Sequence, residues 1–107
     1  MIRLAVLLLA ITGPAAAVTP LSGAESMAYR SAEVIGAAAA CGVEESRLAA
    51  VGRTSIELIR QVARTTSEAE RARKLHEQIV TRTANRVRDQ QNGCPAAVEA
   101  FERAERN

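Results

Sequence analysis

Two cysteines, Cys41 and Cys94, constrain this chain more than any other feature, because the N-terminus reads as an export signal. Met1-Ile2-Arg3 supplies one positive charge, Leu4 to Ile11 is an unbroken apolar run, and Gly13-Pro14 breaks it. Ala15-Ala16-Ala17 then offers the small residues that a signal peptidase reads. The apolar run is about half of the ~20 residues that a membrane-spanning helix needs. Residues 1–17 are therefore expected to be a cleaved secretory signal peptide; a cut after Ala24, with Ser22 three positions from the bond, is the alternative. In an exported chain a lone pair of cysteines is first a disulfide. Redox pairs favour Cys-x-x-Cys and zinc asks for four ligands, and neither pattern is present.

The remainder, residues 18–107, is about 90 residues long, enough for one domain with a modest core. It has no Trp, one Tyr and one Phe, so that core must be built from Ala, Val, Ile and Leu. Abundant alanine, with glycine and proline confined to punctuation points, favours helix throughout. The formal charge is +2, and losing Arg3 with the leader leaves +1. That balance gives no reason to expect a nucleic-acid partner.

Four helices follow from stops and caps. Ser22-Gly23-Ala24-Glu25 is a capping box that opens a helix over about 23–41, with Met27, Val34, Ile35, Ala38 and Cys41 on its apolar face. Gly42 ends it, as glycine takes the left-handed position without a Cβ clash. Ala32, Gly36 and Ala40 form a shallow strip that lets another helix come close, within the chain or, alternatively, from a second copy. A second helix is expected over about 45–64, with Leu48, Val51, Ser55, Ile59 and Val62 as its stripe, widened by Ile56 and Leu58. Arg53, Glu57, Arg60 and Arg64 take its other side. Ser67-Glu68-Ala69-Glu70 reads as a second capping box, opening a helix over about 68–92 with the stripe Ala72, Leu75, Ile79, Thr83 and Val87. Asn92-Gly93 stops it. Cys94 as N-cap and Pro95 as first residue start a short last helix over about 95–104, which buries Val98 and Phe101 and frays from Glu102.

These caps predict an all-α fold, an antiparallel three-helix bundle with a short fourth C-terminal helix. An up-down-up path brings Cys41 and Cys94 to the same end, as a disulfide requires. Closing a loop of about 50 residues stabilises by roughly 4 kcal/mol on the chain-entropy model.

Chemistry is sparse. His76 is the only histidine; its helix neighbours Ala72, Arg73, Ile79 and Val80 include no metal ligand. No serine sits in a Gly-x-Ser-x-Gly turn, and there is no glycine-rich phosphate loop. The expectation is a protein that is not an enzyme and uses no metal or cofactor. The one charge asymmetry lies on the third helix, where Arg71, Arg73, Lys74, Arg82, Arg86 and Arg88 stand against Glu77 alone until Asp89. The six spread around the helix, and Arg71, Lys74, Arg82 and Arg86 are the candidate partner surface for an envelope protein or an anionic envelope component. Glu99, Glu102 and Glu105 are placed to neutralise part of it.

The order of a leader, then Ala32-Glu33-Val34-Ile35-Gly36-Ala37, a first cysteine, amphipathic helices and a second cysteine resembles small exported alphaproteobacterial helical proteins of unassigned activity. The resemblance implies a periplasmic helical protein rather than a reaction. In size, helicity and single disulfide the chain also resembles the acid-stress periplasmic chaperones. The expected role is a non-catalytic periplasmic or secreted structural or interaction module. A stress-linked holdase is the first alternative, and a binder of anionic envelope polymer or lipid the second.

Overall fold

The computed structural model describes residues 20–90 and 92–107; the expected signal peptide lies outside them. Four helices make up the structure, α1 (Gly23–Ala40), α2 (Glu45–Val62), α3 (Thr66–Gln90) and α4 (Cys94–Arg106). They form the expected antiparallel three-helix bundle, with α4 as the short fourth helix.

The α1 capping box is reciprocal: the Glu25 amide donates to Ser22 Oγ, and the Ser22 amide donates to the Glu25 carboxylate, each at 3.2 Å. At the other end Gly42 adopts φ +88°. Its amide donates to the Ala39 carbonyl and that of Val43 to the Ala38 carbonyl, which closes the helix as a Schellman stop.

The small strip on α1 is longer than Ala32, Gly36 and Ala40 suggest. Ala24, Ala28, Ala32 and Gly36 are all buried, four residues apart, and Ala40 is only half-buried. This ridge meets α3 closely enough that a Cβ on Gly36 would lie 2.6 Å from the Val80 carbonyl oxygen and 2.9 Å from Thr83 Cβ. Small residues at a helix contact bring the axes toward the low end of the roughly 8–10 Å range. The two parallel helices, α1 and α3, are therefore the most closely packed pair in the fold.

That contact decides where α2 can go. With backbone against backbone along the α1–α3 seam, α2 has no deep groove to enter, and it lies over the seam with only Ile59 fully buried. Two apolar layers result. One joins Ala24, Ala28, Ile59 and Ala72, flanked by Met27, Ile56 and Ala63. The other joins Ile35, Ala38 and Phe101, flanked by Val34, Val43, Leu48, Val51 and Val80.

Each end of the bundle is tied. At one, Cys41 and Cys94 form the expected disulfide, with Cα atoms 5.5 Å apart. At the other, buried Glu68 accepts the Arg64 amide at 2.9 Å. Hydrogen bonds from Arg64, Ser22 and Ala24 hold its carboxyl below the ordinary carboxylate range. The positive ends of the parallel α1 and α3 dipoles point here, so an anion is favoured.

Several expected boundaries are corrected. α2 stops at Val62 rather than residue 64, and α3 starts at Thr66 rather than residue 68. Its cap is Thr65, not Ser67: the Glu68 amide donates to Thr65 Oγ1 at 3.0 Å. Thr65-x-x-Glu68 and Ser67-x-x-Glu70 both fit the capping pattern. The first prevails because Glu68 also serves the α1 terminus, whereas Glu70 pairs with Arg73 on the surface. α3 is described to Gln90, and Asn92, the expected last residue, lies outside it. Cys94 is the first residue of α4 rather than its cap; Gly93, at φ +81°, caps it.

The expected fraying from Glu102 does not occur. α4 is helical through Arg106, because Arg47 on α2 grips Glu105 with two hydrogen bonds of 2.6 and 2.9 Å. The same guanidinium lies 5.6 Å from the centre of the Phe101 ring, and Phe101 is fully buried.

Candidate functional site

Between the two apolar layers lies a polar one, drawn from three helices. Ser31 Oγ on α1 lies 2.5 Å from Ser55 Oγ on α2, and His76 Nε2 on α3 lies 3.5 Å from the same Ser31 oxygen. His76 is 6% exposed. Burial pushes its pKa below the ordinary imidazole range, against a smaller upward pull from Glu77. From α2, Arg53, Glu57 and Arg60 border the cleft in which its ring lies, with Arg73 and Glu77 from α3. From α1 it meets the uncharged Ser31. In the sequence Ser55 falls in an apolar stripe and His76 among neighbours that include no metal ligand, with nothing to link either to Ser31. The signal for the cluster was a serine standing among Leu48, Val51, Ile59 and Val62.

The Ser31 and Ser55 hydroxyls can each donate or accept, and the His76 ring nitrogen does either according to its tautomer, at a distance long for a hydrogen bond. The layer bolts three helices together. Among the described residues no three His, Cys, Asp or Glu side chains gather as metal ligands would.

Because α2 lies over the seam, a trough opens on each side of it. The larger, about 530 Å³, is walled by α1, α2 and the end of α4. Met27, Val34, Val51 and Leu58 make it apolar, Ser31, Thr54 and Ser55 place hydroxyls in it, and Glu105 stands at its α4 end. Leu58, which lines it, is 47% exposed, and Val62, one turn further along α2, is 43% exposed. This size lies within the range of ligand clefts. The second, about 460 Å³, runs between α2 and α3 and is bordered by charged side chains. Arg53, Glu57 and Arg60, read from sequence as an outward face, line it with His76.

The residues singled out from sequence fall in two places. Cys41 and Cys94 are bonded at the α1–α4 junction. Arg71, Lys74, Arg82 and Arg86 are all exposed on α3, within about 120° of one another at 100° per residue. None has an ion-pair partner among the described residues. Of the acidic residues of α4, Glu105 is held by Arg47 and Glu99 by Arg103, and among the described residues Glu102 makes no ion pair with the α3 cations. Among the described residues, no helix is long and apolar enough to cross a membrane.

Comparison of the chain with protein-family models, with curated proteins and with solved structures gives no match.

Proposed function

We propose that this chain is a non-catalytic, exported helical module, working in the periplasm or outside the cell, whose larger trough receives the apolar face of an amphipathic helix from a partner protein. The observation that carries the reading is the uncovered edge of α2. Its stripe is apolar at helical spacing, yet only Ile59 is fully buried; Leu58 stands open beside Met27 and Val34, and Val62 is exposed one turn further on. An amphipathic helix seats such anchors at spacings of three and four residues. The trough is lined by α2 from Ala50 to Leu58 and by the end of α4, which suits an elongated occupant laid along α2. The disulfide supports export, since such bonds persist in oxidising compartments.

The test is site-specific photo-crosslinking in cells, with the probe at Leu58 and, as control, at exposed Arg30. A discrete adduct is expected from Leu58 alone, and Met27→Asp is expected to abolish it while helicity is kept. Equal capture at both sites, or none at Leu58, overturns the reading.

A second reading, a stress-linked holdase, rests on His76 and Glu68, the two buried ionisable groups among the described residues. It expects acid to expose the apolar layers and the protein then to suppress aggregation of a denatured client. Unchanged client aggregation at pH values where the fold has loosened sinks it.

A further inference from the structure

The outer face of α3 carries a second surface, separate from the trough. Arg71, Lys74, Arg82 and Arg86 span sixteen residues of one helix, a rise of about 22 Å at 1.5 Å per residue. The carboxylates nearest in sequence are engaged elsewhere. Glu68 is buried at the end of the bundle, and Glu70 and Glu77 both pair with Arg73. Glu68 shares the azimuth of Arg86 but is buried, so Asp89 is the one exposed carboxylate in the sector, whose exposed formal charge is four cations less one, or +3. The arginines that do have partners, Arg47, Arg60, Arg73 and Arg103, all lie outside it.

We infer that this face rests on an anionic lipid bilayer, its guanidinium and ammonium groups meeting headgroup phosphates. The shape distinguishes this from a linear polyanion. A polymer strand is best held in a groove, where cations converge on it. Here the cations stand on the convex side of a helix and fan over about a third of its circumference, so their long side chains reach a plane rather than a line. No exposed large apolar residue lies on α3, so the contact is electrostatic and reversible, without insertion. Each basic residue near an anionic surface strengthens partitioning about fivefold, an effect that salt screens.

The experiment is sedimentation of the disulfide-bonded protein with phosphatidylcholine vesicles, pure or carrying one quarter phosphatidylglycerol. It is run at about 25 mM and about 250 mM salt, to change the screening length. Binding to the anionic vesicles alone is expected, weakened more than tenfold by the higher salt. Removing two cations, as Arg82→Gln with Arg86→Gln, is expected to weaken it about thirtyfold. Arg71→Gln with Lys74→Gln provides a second pair, expected to act equally. Arg30→Gln with Arg106→Gln removes the same charge elsewhere and is expected to change little. Equal binding to pure phosphatidylcholine, equal loss in the control pair, or retention by soluble polyphosphate without vesicle binding overturns the assignment. None of these outcomes depends on the trough, so this inference and the partner-helix reading fail separately.

Discussion

Two glycines inside helices show how one residue type takes opposite values from its surroundings. Gly36 faces the α3 backbone, and an added Cβ would strike the Val80 carbonyl oxygen at 2.6 Å and approach the Ala84 amide nitrogen to 3.3 Å. Backbone cannot turn aside, so α1 and α3 must part along their closest contact. Overpacking of this kind costs about 1–3 kcal/mol, against about 0.5–1 kcal/mol gained from a better helix former. Gly52 on α2 has nothing within 4 Å of such a Cβ. Gly36→Ala is therefore expected to lower the urea midpoint and Gly52→Ala to raise it, the latter by about 0.5–1 kcal/mol of stability. Equal shifts of the same sign would refute the close α1–α3 seam. The strip was legible in sequence from Ala32 and Gly36. Its extension to Ala24 and Ala28 was not, because alanine marks a tight contact only when a second helix is known to lie over it.

At the scale of elements, α1, with its complete capping box and Schellman stop, came through the sequence best. Local hydrogen bonds fix both ends, and neither depends on a distant partner. The start of α3 was misread because two overlapping capping patterns compete, and the decision rests on Glu68 reaching the distant α1 terminus. The persistence of α4 was missed for the same reason, since the partner of Glu105 lies 58 residues away in Arg47. The position of α2 was the least legible. Its stripe reads as that of a core helix, but the closeness of α1 to α3 denies it a groove. α2 is accordingly expected to be the first helix to open, with its amides exchanging hydrogen faster than those of the α1–α3 pair. Phe101 reverses that order locally. Fully buried against Ile35 and Ala38, it joins α4 to the layer flanked by Leu48 and Val51. Phe101→Ala is expected to cost about 3–5 kcal/mol and to accelerate exchange at the Leu48 end of α2 before the Ile59 end. Uniform exchange along α2 in that variant would disprove the layered core.

The whole molecule is held at its two ends by fastenings of different chemistry, a covalent one at Cys41–Cys94 and an ionic one at Glu68, with the His76 layer between. The cysteines revealed their end through the sequence, because they sat next to helix stops. Glu68 hid in a run of surface-like glutamates. The arrangement makes acid and reductant act in different places. For His76, burial favours the neutral ring, so the unfolded chain binds more protons as pH falls through the ordinary imidazole value of 6.5. Stability is thus full above that value and declines from there down to the lower folded pKa. For Glu68 the folded carboxyl titrates below its ordinary value of 4.5. Its contribution is present above pH 4.5 and is lost as pH falls through the folded pKa, together with those of Glu70 and Glu105, which Arg73 and Arg47 hold low. Two limbs are therefore expected in a plot of urea midpoint against pH from 8 to 3. His76→Gln, which cannot charge, flattens the first limb and leaves the second. Glu68→Gln reduces the second without abolishing it and leaves the first. Pairing Cys41→Ser with Cys94→Ser lowers the curve at every pH by about 4 kcal/mol without changing its shape, because a disulfide acts mainly through the unfolded chain and binds no proton. A wild-type midpoint that stays level from pH 8 to 5 would show that His76 is not held neutral between the apolar layers. A cysteine-free curve of different shape would show that the covalent and ionic fastenings are not independent.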